Sequence, residues 1–151
     1  MKLTETPEIV DWPETHYVFV EAVGPFMESA PKAWQGLHAL TSEIEKHNTI
    51  TRYMSLYKCG PQVYRAGHAL AAAPQQLPEG VRYEVFPGGK YSRFVMTGPF
   101  SDLPAASGRV FEIAEEKKIQ QRDGYCIENY IDDPRVTPED QLRTEILIPT
   151  A

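Results

Sequence analysis

One carboxylate and a set of aromatic rings are the residues of this chain whose types and spacing could do chemistry. In the closing run Leu142-Arg143-Thr144-Glu145-Ile146-Leu147-Ile148-Pro149, strand alternation sends Leu142, Thr144, Ile146 and Ile148 to one side and Arg143, Glu145 and Leu147 to the other. The first set suits packing against helices, so Glu145 is expected on a helix-free face, among strands that carry Tyr53, Tyr57, Tyr64, Tyr125 and Tyr130. A carboxylate in a partly apolar aromatic setting loses solvation. It then attracts a cationic or donor-rich ligand, or its pKa rises and it serves as an acid or base. Aromatic walls add stacking and cation-π attraction. The structural alternative is that Glu145 pairs with Arg143 or another surface cation and does nothing more.

Other chemistries find no support in the residue pattern. His16, His38, His47 and His68 are dispersed without an H-x-H or H-x-x-x-H pair, so no metal is expected. Cys59 and Cys126 lack C-x-x-C spacing and read as reduced thiols. Gly88-Gly89-Lys90 lacks the spacing of a phosphate loop and reads as a hairpin turn, and no serine sits in a G-x-S-x-G elbow. No cofactor is implied.

The elements that must position Glu145 are announced by a partial repeat. Tyr17 to Phe26 reads Y-V-F-V-E-A-V-G-P-F and Tyr91 to Phe100 reads Y-S-R-F-V-M-T-G-P-F, each a strand-like run ending in Gly-Pro-Phe before a helical pattern. The first copy continues as a helix capped at Ser29 and running to about His47. Two alternating strands follow, Thr51 to Cys59 and Val63 to Ala71. The second begins with a hairpin, Arg82 to Phe86 and Lys90 to Thr97 around Pro87-Gly88-Gly89. It continues as a helix capped by Ser101 or Asp102, with strands Tyr125 to Ile131 and Leu142 to Ile148. The predicted fold class is therefore α+β: two β-α-β-β units, about 8–72 and 81–151, forming an antiparallel sheet with helices on one face. The seam between two such copies is a natural ligand site.

At 151 residues, with 42% hydrophobic and 24% charged content, the chain suits one domain with its own core. No apolar run reaches the roughly 20 residues of a membrane span, and the first residues do not resemble a signal peptide, so a cytoplasmic location is expected. A net charge of −6 disfavours nonspecific nucleic-acid binding and suits a neutral or cationic ligand.

The segment Y-E-V-F-P-G-G-K-Y-S-R-F-V-M-T-G-P-F-S-D-L-P, followed by D-G-Y-C-I-E-N-Y-I-D-D-P-R-V-T-P-E-D-Q-L-R-T-E-I-L-I-P, closely resembles the GyrI-like small-molecule-binding family, which includes effector-binding domains of AraC-type and MerR-type multidrug-sensing regulators. The resemblance implies paired β-α-β-β units related by a pseudo-two-fold axis. It implies a groove on the sheet face away from the helices that takes flat, hydrophobic, often cationic molecules, with the ligand-facing glutamate at Glu145. Trp34, Tyr53, Tyr57, Phe111 and Tyr130 are the matching candidates for its aromatic walls. No helix-turn-helix reader fits in the remaining residues, so the chain resembles a stand-alone sensor or sequestering member with no direct nucleic-acid contact. A second reading is a hydrolase that opens strained cyclopropane-containing cytotoxins, with Glu145 as base and Tyr130 or Tyr53 supplying a hydroxyl. A third is an interaction module for gyrase or a separately encoded regulator.

Overall fold

The computed structural model describes residues Met1–Ala151 as an α+β fold of antiparallel strands and two helices. The chain order is β1 (Lys2–Leu3), β2 (Glu8–Trp12), β3 (Thr15–Val23), α1 (Phe26–Glu45), β4 (Ile50–Lys58), β5 (Val63–Leu70), β6 (Arg82–Phe86), β7 (Gly89–Thr97), α2 (Leu103–Glu116), β8 (Cys126–Tyr130) and β9 (Arg143–Pro149). It divides into two compact units: a continuous one, Pro13–Gly88, and a discontinuous one built from Met1–Trp12 and Gly89–Ala151.

In the continuous unit β5 lies between β4 and β3, and β6 pairs with the first half of β3. Helix α1 buries Ala33, Leu37 and Ile44, the stripe that its 3.6-residue period predicts. The side of the sheet away from α1 is closed by close approach. Tyr17 donates its hydroxyl to the carbonyls of Met54 (3.0 Å) and Arg65 (3.2 Å), and its ring lies where a Cβ on Gly67 would stand, 2.3 Å from Cζ. Only glycine fits beneath that ring. Phe19 stacks beside Tyr17 with the Arg65 guanidinium 4.2 Å from its ring centre, and Arg65 in turn pairs with Glu21 and Glu84.

In the discontinuous unit β9 lies between β8 and β7, and the far edge of β7 carries both β2 and β1. Phe94, Met96, Ile113, Ile127 and Ile146 are fully buried; each such side chain contributes roughly 1.5–3 kcal/mol of transfer free energy.

The duplication is physical. Gly24 and Gly98 both have positive φ, +130° and +149°, and each is followed by an extended proline and by a phenylalanine that opens helical structure. That geometry corrects the predicted helix start. Ser29 does not cap α1, because the Gly-Pro turn has already brought the chain into helix at Phe26; the Ser29 hydroxyl donates back to the Gly24 carbonyl at 3.2 Å. Asp102 likewise makes no capping hydrogen bond through its side chain, since a 3-10 turn at Phe100–Asp102 leads into α2.

A second correction concerns the predicted hairpin. Arg82–Phe86 pairs with β3, and Gly89–Thr97 with β2 and β9. Gly88 and Gly89 do take positive φ, +72° and +121°, but two consecutive left-handed residues redirect the chain from one unit to the other instead of closing a two-residue turn. Each unit thus takes its outer strand from outside its own repeat. The two-residue strand β1 was not predicted at all.

Candidate functional site

The predicted alternation along the last strand holds. Thr144, Ile146 and Ile148 are fully buried on the side that faces α2, and Glu145 and Leu147 lie on the other. Glu145 is almost buried, and both of its oxygens are engaged. Arg93 on β7 donates its Nε to Oε2, and Asn129 on β8 donates Nδ2 to Oε1 at 2.6 Å. Arg93 also reaches Glu8 on β2 at 3.6 Å. Arg143, the alternative partner, is turned away to Asp132 (2.9 Å) and holds that carboxyl below its ordinary range through the hydrogen bond. The charge of Glu145 is therefore met from within its own sheet.

A second carboxylate, unmarked in the sequence analysis, sits in a different state on the α2 side. Glu128 lies in the middle of β8 opposite Ile146, 8% exposed. Its neighbours are hydroxyls: Tyr130 donates to Oε1 at 3.0 Å and Ser107, on α2, to Oε2 at 3.4 Å. Burial raises the pKa of Glu128 above the ordinary carboxylate value, and the two hydroxyl donors offset that only in part. Thr144, paired with Tyr130 across β8 and β9, keeps a buried hydroxyl without a partner. Phe100 meets the Tyr130 ring edge-on with centroids 5.4 Å apart. A desolvated acid, a phenol, two aliphatic hydroxyls and two aromatic rings thus share one patch. Phe111 lies on α2 as well and is half-buried.

The other predicted aromatics belong to the continuous unit and form a second polar-aromatic cluster. Trp34 on α1 donates its indole N–H to the Tyr64 hydroxyl at 2.9 Å, and Tyr64 and Ser55 share a hydrogen bond of 2.6 Å. Tyr57 stacks on Tyr64, and Phe26 meets both rings edge-on. Tyr53 meets buried His68 edge-on with centroids 4.2 Å apart, and Thr41 lies 3.0 Å from His68 Nε2. Desolvation, with His38 adding to it, lowers the His68 pKa to about 4, so this cluster carries no charge at neutral pH. Phe26 and Phe100 hold equivalent places in the repeat, and so do Tyr57 and Tyr130. Ser55 stands where the other unit has Glu128.

No cluster of histidine, cysteine or carboxylate side chains is arranged to hold a metal, and both cysteines are free thiols. No helix is long and apolar enough to cross a membrane.

Solved structures match this architecture closely. The EcmrR C-terminal domain superposes over 100% of this chain and 99% of its own, with a TM-score of 0.81 at 16% identity. SAV2435, solved bound to tetraphenylphosphonium, matches 96% of this chain and 93% of its own with a TM-score of 0.68 at 11% identity. A hydrolase from Listeria innocua matches 98% and 93% with a TM-score of 0.62 at 16% identity. At these identities the likeness is one of fold. Comparison with the curated proteins gives no match. The model of the GyrI-like small molecule binding domain matches residues 5–151, so that this chain, with its repeated Gly-Pro-Phe turns and its helix-covered antiparallel strands, belongs to the GyrI-like small-molecule-binding family.

Proposed function

We propose that this domain binds a flat, hydrophobic cation and acts as a sensor or sequestering module, with Glu128 as the acid that receives the positive charge. The observation that carries the reading is the state of that carboxylate: buried, raised in pKa, and met only by hydroxyl donors. A cation that lacks hydrogen-bond donors is poorly solvated itself, and it returns to Glu128 the charge compensation that burial removed. Tyr130 and Phe100 offer the ring faces and edges that such a ligand stacks against. Glu145, the acid picked out by the sequence, already has Arg93 and Asn129, so a ligand there displaces an existing ion pair. Binding of tetraphenylphosphonium, a tetrahedral hydrophobic cation, by a protein of the same fold supports the hydrophobic and cationic character of the ligand.

Titrating tetraphenylphosphonium and a planar cationic dye into the wild type, Glu128→Gln and Glu145→Gln tests the assignment. Loss of about tenfold or more in affinity, roughly 1.4 kcal/mol, is expected for Glu128→Gln and little change for Glu145→Gln. Equal affinity in all three removes both carboxylates from recognition.

The hydrogen bond between Tyr130 and Glu128 favours a second reading, hydrolysis of a strained ring. A carboxylate with a raised pKa is a stronger base than an ordinary one, taking a proton from water as the water oxygen bonds to a ring carbon, while the phenol protonates the departing carbon or its conjugated oxygen. Incubation with a cyclopropane-bearing alkylator and mass spectrometry of the products separates the readings; turnover that survives in Glu128→Gln rules this mechanism out.

A further inference from the structure

The two units differ at one edge, and the difference marks a vacancy. In the discontinuous unit the second half of β7 is covered: Lys2 and Leu3 pair with Thr97 and Met96, the Thr4 amide donates to the Val95 carbonyl at 3.0 Å, and the Val95 amide donates to the Thr4 hydroxyl at 2.9 Å. In the continuous unit the equivalent stretch of β3 is Glu21 to Val23. There β6 stops at the pair Phe19 and Arg82, and no strand takes its place beside Val20 to Val23. The residues paired on the other side by β5 continue to Val23, so the backbone is held extended while its outer edge stays open.

Beside that edge runs a groove of about 360 Å³, lined by Val20 to Gly24 and by Glu28, Ser29, Lys32 and Ala33 of α1. Its origin is a size difference within the repeat. Ala22 stands where β7 has the buried Met96, which leaves unfilled space between strand and helix. Val23, 68% exposed, adds apolar surface to it. The charge is matched as well. In the covered edge, Asp102 Oδ2 and Met1 Cα both lie 3.4 Å from where a Cβ on Gly98 would stand, so an acid flanks the incoming strand next to Lys2. Glu28 holds the position of Asp102 in the first turn of α1, and Lys32, one turn further along the helix, lines the same groove.

We infer that the outer edge of β3 from Val20 to Val23 is a docking site for an extended segment of a partner polypeptide, which adds as an antiparallel strand, sets an aliphatic side chain over Ala22 and Ala33, and brings a lysine or arginine toward Glu28. The chain's own residues 2–4 occupy the equivalent edge of the other unit with this chemistry, Lys-Leu-Thr. Main-chain hydrogen bonds along an exposed edge give such docking its affinity, and the groove gives it side-chain selectivity.

The probe is a heptapeptide of sequence Met-Lys-Leu-Thr-Glu-Thr-Pro, the chain's own residues 1–7, added to the full-length isotope-labelled protein and followed by amide shifts and hydrogen exchange. Support is a set of shifts confined to Val20–Gly24 and Ser29–Ala33, with exchange slowed at Glu21 and Val23. Val23→Pro, on an edge that tolerates proline, and Ala22→Met, which fills the groove as Met96 does, should each weaken binding about fivefold or more. Replacing the peptide lysine by glutamate should weaken binding to the wild type and strengthen it to Glu28→Lys. Absence of shifts at this edge, shifts at Val95–Gly98 instead, unchanged binding by Ala22→Met, or a concentration-dependent dimer that protects Val20–Val23 would each overturn the inference.

Discussion

Tyr130 donates its hydroxyl to Glu128, two residues earlier on β8, at 3.0 Å, and this bond joins a buried acid to an aromatic ring that is itself half-exposed. Burial raises the pKa of the acid and the hydroxyl donors lower it, so its state of charge is set by the balance between them.

Stability should improve when that charge is removed. The folded-state pKa of Glu128 is raised, so the protonated acid is favoured by folding: its contribution is fully present below the unfolded value of 4.5 and is lost as pH rises through the folded value. Above that window the buried anion destabilises the fold. Glu128→Gln should therefore raise the melting temperature by a few degrees at pH 7, with the gain vanishing near pH 4. Thermal unfolding followed by circular dichroism across pH 4–8 is the measurement, and a melting temperature that falls at pH 7 contradicts it.

Glu145→Gln should act in the opposite direction. It leaves Arg93 without its closest carboxylate in a half-buried setting, at a cost of about 1–3 kcal/mol. Urea denaturation of Glu145→Gln, Arg93→Gln and the double variant should show the second change costing much less than the first, as expected for one shared interaction.

His68 gives the acid limb of the stability profile a definite shape. Its folded pKa is depressed to about 4 from 6.5, so the neutral ring contributes stability above pH 6.5 that is lost as pH falls toward 4, roughly 3 kcal/mol at most. The groups around it are Thr41, Tyr53 and His38, and none is acidic. Proton NMR should place the His68 titration near pH 4, and His68→Leu should flatten the stability curve between pH 6.5 and 4.

Gly67→Ala should be among the most damaging single substitutions. The added carbon meets the Tyr17 ring at 2.3 Å, and that ring is pinned by two backbone carbonyls. A loss of about 3 kcal/mol or more is expected in urea denaturation, partly recovered when Tyr17→Leu is combined with it.

The sequence exposed some of this plan and concealed the rest, for physical reasons. Period-2 alternation is a local property, so β3, β4, β5, β8 and β9 could be read within a residue or two, and the face occupied by Glu145 followed from it. Strand partnership is not local. Glu8–Trp12 and Arg82–Phe86 carry no mark of which edge they join, and Gly88-Gly89 looks the same whether it closes a hairpin or hands the chain to another unit. Glu128 was hidden in Cys-Ile-Glu-Asn-Tyr, although the same alternation that located Glu145 puts Glu128 on the side of Tyr130. The available signal is an acid that alternates with Cys126 and Tyr130 on one face of the strand. The run Thr-Glu-Ile-Leu-Ile-Pro carries the stronger family likeness and draws attention to Glu145 instead.

The exchange of outer strands sets an order of events during synthesis. Pro13–Gly88 is contiguous, so every strand of that unit has been made before residue 90 leaves the ribosome. The other unit needs Glu8–Trp12 to wait, unpaired, until Gly89–Thr97 and then Arg143–Pro149 emerge. Translation therefore gives the His68 half a head start, and the half that holds Glu128 closes last, with the Glu8–Trp12 strand open to mispairing throughout the interval.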